Sequence, residues 1–237
     1  GLKIEKFRVG ARNQVAMVKD PAAYPDFNVL NICGNGKILK RDGTVEDLYR
    51  DVFVPGFDSG WRVENGMSCG MIVSYGKFRL YTAGDFQDFW KKPDGTTFQT
   101  EDALGAELDA VDVAKTNHHG SFSMTEALVR ALKARVWVTC VFASHNNDLG
   151  TMKRLSDRNL YPGERTICPT CYPVQRQTKD PQDAPGVADV PKAAWDCGHV
   201  VVNVAPGGDD YTVSYIDAKD ESMTVRSVMR FRSGENA

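Results

Sequence analysis

The sequence predicts an α/β domain, α+β in character, in which helices and strands form layers around a mixed sheet. Three observations lead to this class. Runs typical of strands occupy the first part of the chain, strand and helix patterns alternate in the middle, and strand patterns return at the end. The 237 residues, of which 42% are hydrophobic and 25% charged, suffice for one packed core. We therefore interpret residues 1–237 as a single domain.

The first predicted strands lie on either side of tight turns. Residues 27–32 and 37–39 flank the sequence Cys-Gly-Asn-Gly at 33–36, which is typical of a turn. The apolar runs at 70–75 and 78–82 are separated by two residues and predict a second hairpin.

Helix and strand patterns alternate in the middle of the chain. Ser123 and Glu126 have the spacing of a capping box, which predicts that a helix begins there. The polar, proline-containing stretch 172–194 predicts an irregular insertion, and 86–100 predicts a loop. The other predicted elements are a helix at 101–108, strands at 111–116 and 135–143, a helix at 151–157, and strands at 200–204, 211–216 and 223–231.

Charge and hydropathy argue against two broad classes of partner. A formal charge of -2 gives no reason to expect nucleic-acid binding. No apolar run approaches the ~20 residues that span a bilayer, so no membrane partner is expected. The sequence has no G-x-S-x-G, Walker A or G-x-G-x-x-G motif. The chain begins at Gly1 rather than Met, and we expect an upstream segment to be missing.

Candidate metal ligands follow several predicted strands. Asp85 comes after Gly84 at the end of one strand, the pair His118 and His119 closes the next, and His145 ends the one after. Ligand sites in open α/β sheets lie outside the carboxyl ends of strands, so these side chains are expected to converge. Asp85 taken alone is more typical of a turn or cap than of a metal site.

Two neighbours of the histidine pair are candidate contacts for substrate or an anion. Asn117 precedes the pair, and Ser121 follows it in a tight Gly-Ser turn. Backbone N–H groups at such a turn can bind a phosphate oxygen.

Cysteines suggest a second, unrelated metal site. Cys168 and Cys171 form a C-x-x-C pair, and Cys197 and His199 follow after a long gap. Three sulfurs and an imidazole could hold a structural zinc ion. A disulfide between Cys168 and Cys171, or free thiols, are the alternatives.

With these residues identified, the chain resembles the C-terminal half of the metallo-β-lactamase superfamily, in particular the hydrolase domains of ComEC-type competence proteins. The matching segments lie within about residues 60–231, and 1–60 match weakly. They are Glu64-Asn-Gly-Met-Ser68, the hairpin 70–83, Gly84-Asp85, Asn117-His-His-Gly-Ser121, the helix and strand 123–143, and Gly198-His-Val-Val-Val-Asn-Val204.

The resemblance implies an αββα sandwich, of which this chain would be the C-terminal half, with a zinc or manganese site that activates water for hydrolysis. It implies that Asp85 is a bridging carboxylate, that His118 or His119 is a metal ligand, and that His145 is a further ligand or lies at the rim. Asp85 and His119 would then be the catalytic residues.

One departure from the family is large: the sequence has no H-x-H-x-D-H motif. We therefore expect the C-terminal part of a metal-dependent hydrolase of phosphodiesters or related esters, incomplete and inactive alone. Its metal, zinc or manganese, would belong to the full-length protein, with none necessarily bound by this chain. Its partner would be a missing N-terminal half or another copy. The alternative is a non-catalytic binding or scaffold relative of the same fold.

Overall fold

A computed structural model describes residues 4–50, 61–92, 94–141, 148–172 and 186–235. The helices are α1 (Trp61–Gly66), α2 (Thr100–Gly105), α3 (Glu126–Leu132) and α4 (Leu149–Ser156). The strands are β1 (Phe27–Gly34), β2 (Lys37–Leu39), β3 (Val45–Asp47), β4 (Gly70–Tyr75), β5 (Phe78–Thr82), β6 (Phe89–Lys91), β7 (Thr97–Gln99), β8 (Val113–Lys115), β9 (Val136–Thr139), β10 (Thr166–Pro169), β11 (Gly198–Val204), β12 (Asp210–Asp217) and β13 (Val225–Arg232).

The main sheet has eight strands in the order β10-β9-β8-β5-β4-β1-β2-β3. Strands β5, β8, β9 and β10 run parallel to one another, whereas the pairs among β1 to β5 are antiparallel. The chain is thus a mixed α/β protein with a large mixed sheet and few helices, as the sequence predicted. The carboxyl ends of four parallel strands share one edge of this sheet.

Two different layers cover the faces of the main sheet. Phe78 packs edge-on against Tyr211 of the three-stranded sheet β11-β12-β13, with ring centroids 5.1 Å apart. Tyr81, three residues further along β5, must lie on the opposite face. Its hydroxyl donates to Asn117 at 3.1 Å, and Asn117 in turn contacts Glu101 of α2 at 2.8 Å. The small sheet therefore covers one face, and α2 lies on the other.

The outer face of the small sheet is open in the part of the chain that the structure describes. His199, Val201 and Val228 alternate with inward residues and have exposed side chains. A second helical layer, which an αββα sandwich requires, would have to cover this face. The four-layer arrangement therefore stays a prediction.

Several local predictions need correction. Helix α3 begins at Glu126 with Thr125 as its N-cap, because the Thr125 side chain accepts from the Leu128 N–H. The predicted capping residue, Ser123, instead donates its hydroxyl to the Asn117 carbonyl at 2.7 Å. The predicted loop 86–100 contains a hairpin, β6 and β7, because Trp90 and Phe98 stack on one of its faces at 4.4 Å.

The predicted insertion 172–194 lies largely outside the described residues. Its described residues are 172 and 186–194, and the latter contain the 3₁₀ turn Val187–Asp189 and most of a second one, Lys192–Trp195. Across the described ranges, no helix has the length and apolar character needed to cross a membrane.

Candidate functional site

Asp85 and His119 meet at the edge where the parallel strands end. Asp85 follows β5, His119 follows β8, and Cys140 follows β9. The Nε2 atom of His119 is 3.8 Å from Oδ1 of Asp85, and both side chains are partly exposed. The structure therefore brings together two of the residues that the sequence predicted would converge.

The ring orientation of His119 is set by a backbone carbonyl. Its Nδ1 atom is 2.8 Å from the Cys140 carbonyl oxygen, which can only accept, so Nδ1 carries the hydrogen. In the neutral ring, Nε2 then has the lone pair and faces the Asp85 carboxylate. Metal-binding histidines commonly donate their other ring N–H to a carbonyl in this way. Two acceptors that face each other in this way can both bind one cation.

The backbone that carries the histidines is strained. His118 and His119 have φ values of 45° and 55°, and Phe122 and Met124 have 50° and 61°. The left-handed region is unfavourable for residues with a Cβ, at of order 1–3 kcal/mol each. Four such residues within a seven-residue segment persist only if the surroundings hold them. We call residues 117–125 the histidine loop.

Glu101 of α2 holds the histidine loop from beneath. Its carboxylate accepts from the backbone N–H groups of Met124 at 3.0 Å and Thr125 at 2.9 Å, and from the Asn117 side chain at 2.8 Å. Burial raises the pKa of Glu101 to about 7, and the three hydrogen bonds oppose this shift. A carboxylate with so many donors makes Glu101 the central support of the loop.

Asp148 holds the other side of the histidine loop. It is the N-cap of α4, accepts from the Thr151 N–H at 3.1 Å, and also accepts from the Phe122 N–H at 2.7 Å. Its own N–H donates to the Gly120 carbonyl at 2.9 Å. The loop is thereby fixed to α4 as well as to α2.

Lys115 and Gly84 fix the Asp85 side of the pair. The Lys115 ammonium donates to the carbonyls of Gly84 and Thr116, both at 2.9 Å. Burial lowers the pKa of Lys115, while the charges of Cys140 and Asp85 act in the opposite direction. Gly84 has a φ of 57° and accepts from the His118 N–H at 3.3 Å, so strand β5 and the histidine loop are joined directly.

His118 has a different environment from His119. Its Nδ1 atom is 3.1 Å from Oε1 of Gln87, and Gln87 donates its amide to the Phe122 carbonyl at 2.9 Å. The two imidazole centroids are 6.4 Å apart. His118 lines a cavity of about 580 Å³ together with Gln87, Asp88, Phe89, Thr97, Gln99 and Phe122. The two adjacent histidines therefore serve different parts of this region.

The structure gives Asn117 and Ser121 roles other than the predicted anion contacts. Asn117 is fully buried, and its amide is bonded to Tyr81, Phe86 and Glu101. Ser121 is nearly buried, and its N–H donates to the His118 carbonyl at 2.8 Å within the turn. Both residues support the histidine loop, and their contact with substrate or an anion stays a prediction.

Among the described residues, the four predicted zinc ligands of the C-terminal region do not form one metal-binding group. Cys171 and Cys197 form a disulfide, which also corrects the predicted alternative of a Cys168–Cys171 bond. Cys168 is fully buried beside the Tyr215 hydroxyl, and burial raises the pKa of its thiol to about 12, which disfavours the thiolate that zinc binds. His199 is exposed on β11. The cysteine region therefore contains a cross-link, Cys171–Cys197, and a thiol buried in the core, Cys168.

Within the described ranges, no group of three or more His, Cys, Asp or Glu side chains could hold a metal ion. Asp85 and His119 supply a carboxylate and an imidazole, which fit zinc or manganese as part of a ligand set. His145, the third predicted strand-end ligand, lies outside the described residues.

Sequence reasoning missed the residues that support the pair. Glu101 was read as the start of a helix and Lys115 as part of a strand, and Gln87 was read as a loop residue. A charged residue inside an otherwise apolar run, such as Lys115 within 111–116, is the signal that could have indicated the supporting role of Lys115.

Comparison of the sequence with protein-family models gave no match, and comparison with curated proteins gave no significant match.

Proposed function

We propose that this chain is part of a metal-dependent hydrolase of phosphodiesters or related esters, and that Asp85 and His119 form one corner of its metal site. The observation that carries the proposal is the 3.8 Å approach of His119 Nε2 to Asp85 Oδ1, with His119 Nδ1 held by the Cys140 carbonyl. The resemblance of Gly84-Asp85 and Asn117–Ser121 to the metallo-β-lactamase superfamily supports the same proposal.

Each residue of the corner has a distinct task. Asp85 supplies a carboxylate. The backbone N–H of Asp85 donates to Ser68 Oγ at 3.3 Å and helps to hold the residue in place. His119 supplies an imidazole nitrogen whose direction is fixed by Cys140. Lys115 offsets part of the negative charge of Asp85. A bound metal ion would lower the pKa of a coordinated water to about 7 and so supply hydroxide near neutral pH.

Strain in the histidine loop is a further argument for the proposal. A folded protein does not need four left-handed non-glycine residues in one short loop, and backbone strain of this kind clusters at functional sites. Two buried or half-buried carboxylates, Glu101 and Asp148, are used to hold that loop. This arrangement is expected of a site in which the position of His119 matters.

The test uses the full-length protein, purified in the presence of zinc or manganese. We expect stoichiometric metal and hydrolysis of bis(4-nitrophenyl) phosphate, with at least a hundredfold loss of metal affinity in Asp85→Asn and His119→Gln. His199→Gln is the matched control, because His199 is exposed on β11 of the small sheet and does not contact Asp85 or His119 in the described residues. A full-length protein with neither bound metal nor phosphodiester hydrolysis would contradict the proposal.

A non-catalytic binding or scaffold relative is the second candidate. The observation in its favour is that the described residues supply two ligands rather than three or more. It predicts that Asp85→Asn and His119→Gln change neither metal content nor the protein's activity in its host.

A further inference from the structure

The cavity beside His118 has the size and lining of a binding site for part of a small molecule. Its volume of about 580 Å³ falls within the range of about 300–1,000 Å³ that is typical of ligand pockets. Two walls form it. The β6–β7 hairpin contributes Phe89, Thr97 and Gln99, and the histidine loop contributes His118 and Phe122.

The hairpin register turns Phe89 away from the core. Phe89 pairs with Gln99, while Trp90 pairs with Phe98 on the opposite face. Trp90 stacks on Phe98 and contacts Tyr49 at 5.1 Å, so that face belongs to the packed interior. The other face presents Phe89, which is 43% exposed, to the cavity.

Phe122 is both exposed and strained. Its side chain is 78% exposed, although its backbone has a φ of 50°. Its N–H donates to Asp148 and its carbonyl accepts from Gln87, so the backbone that carries the ring is held at the cavity wall. Single exposed hydrophobic residues are ordinary, but folding gains nothing from an exposed phenyl ring on a strained backbone.

The polar lining defines the charge of the occupant. Among the described lining residues there is no lysine or arginine, and the one acidic residue, Asp88, accepts from the Tyr49 hydroxyl at 2.8 Å. Thr97 and Gln99 provide neutral hydrogen-bonding groups. Phenyl rings prefer stacked or edge-on aromatic partners. The lining therefore suits an uncharged planar ring with polar groups on its edge.

We propose that this cavity binds an uncharged planar ring of the substrate against Phe89 and Phe122, next to His118. The assignment of the ring to the substrate rests on the proposed hydrolase function. Gln87 links the two parts, because it contacts His118 through Oε1 and Phe122 through Nε2. Phe122 and Phe89 are then the residues that determine specificity for the ring.

The test measures binding without metal or hydrolysis, so that its failure is distinguishable from failure of the hydrolase proposal. The probes are quinolin-2-one and its saturated bicyclic lactam analogue, which share the polar edge but differ in planarity. By titration calorimetry of the metal-free protein, the planar lactam is expected to bind at least tenfold more tightly than the saturated one.

The decisive variant is Phe122→Gly, because glycine adopts a φ of 50° without strain and the variant should fold at least as well as the wild type. It should lose at least tenfold in affinity for quinolin-2-one, and Phe89→Ala should lose a similar factor. Tyr24→Ala removes an aromatic side chain that is also 43% exposed and should leave affinity unchanged. Equal affinity for the two lactams, or unchanged binding by Phe122→Gly, would overturn the proposal.

Discussion

The histidine loop with Asp85, and the cysteine region formed by Cys168, Cys171, Cys197 and His199, were both predicted as metal sites. The predicted ligands converge in the first region and are placed in separate environments in the second. At the loop, Asp85 and His119 approach to 3.8 Å. In the cysteine region, two of four predicted ligands form a disulfide, one is buried in the core and one is exposed on β11.

The difference lies in where each residue type sits in the sheet and in what supports it. Asp85 and His119 follow parallel strands β5 and β8, whose carboxyl ends share an edge, and the loop is held by Glu101 and Asp148. The cysteine ligands lie on strands of two different sheets, β10 and β11 or beside them. A shared position at the ends of neighbouring strands therefore predicts which side chains converge better than sequence spacing alone does.

Replacement of Glu101 should have the largest effect, because it removes the main support of the histidine loop. Glu101→Ala leaves two backbone N–H groups and the Asn117 amide without their acceptor, at about 1–3 kcal/mol for each buried group left unpaired. We expect the free energy of unfolding to fall by about 4 kcal/mol at pH 6, measured by urea denaturation. Asp102→Ala, an exposed acid on the same helix, should change it by less than about 0.5 kcal/mol. Equal effects of the two substitutions would show that the loop does not depend on Glu101.

Removal of the disulfide should separate stability from metal binding. Cys171→Ser opens a cross-link between residues 26 apart in sequence, which the chain-entropy relation values at about 3.5 kcal/mol. Thermal unfolding should show this loss, while zinc affinity stays within a factor of two of the wild type. Cys69→Ser, which removes an exposed free thiol, serves as the control. Loss of zinc binding in Cys171→Ser would show that the cysteine region binds zinc.

The stability of the histidine loop should depend on pH through Glu101. The pKa of Glu101 is about 7 in the folded protein, against an ordinary value of 4.5 for glutamate. Between these two pH values the folded state retains a proton that the unfolded state has lost. The stabilisation is fully present below pH 4.5 and is lost as pH rises through 7, by about 3 kcal/mol in all. Urea unfolding between pH 5 and 8 should show wild type losing stability relative to Glu101→Gln. Parallel curves for the two proteins would contradict this role.

The two adjacent histidines should differ in their effect on metal binding. His119 faces Asp85, whereas His118 is turned toward Gln87 and the cavity. In the full-length protein, His118→Gln should lower zinc affinity by less than about tenfold, below the roughly 10–100-fold loss that is typical when a side chain that orients metal ligands is replaced. His119→Gln is the matched substitution and should have the larger effect. Equal losses, measured by competition with a chelator, would mean that both rings bind the metal.

Much of the strand and turn order was predictable because it depends on local patterns. The hairpin of β4 and β5 follows from apolar runs on either side of Gly76, and the mixed sheet follows from the alternation in the middle of the chain. The hairpin of β6 and β7 was missed, because it depends on cross-strand stacking of Trp90 on Phe98 and on the long-range contact of Trp90 with Tyr49.

The candidate site was predictable in part for a similar reason. Asp85 and His119 were found because both end strands. The different tasks of His118 and His119 depend on left-handed backbone at both residues, which no sequence pattern indicated. The structural role of Asn117 depends on Glu101 and Tyr81, which are 16 and 36 residues away in sequence. Such long-range hydrogen bonds cannot be read from spacing.

Cobalt(II) absorption of the full-length protein tests the central claim most directly, because it reports which side chains bind the metal. Visible cobalt bands should disappear in Asp85→Asn and His119→Gln, and should persist unchanged in Cys168→Ser and Cys197→Ser. A thiolate-to-cobalt charge-transfer band in the wild type would contradict the account, as would visible bands that survive in His119→Gln and vanish in Cys168→Ser.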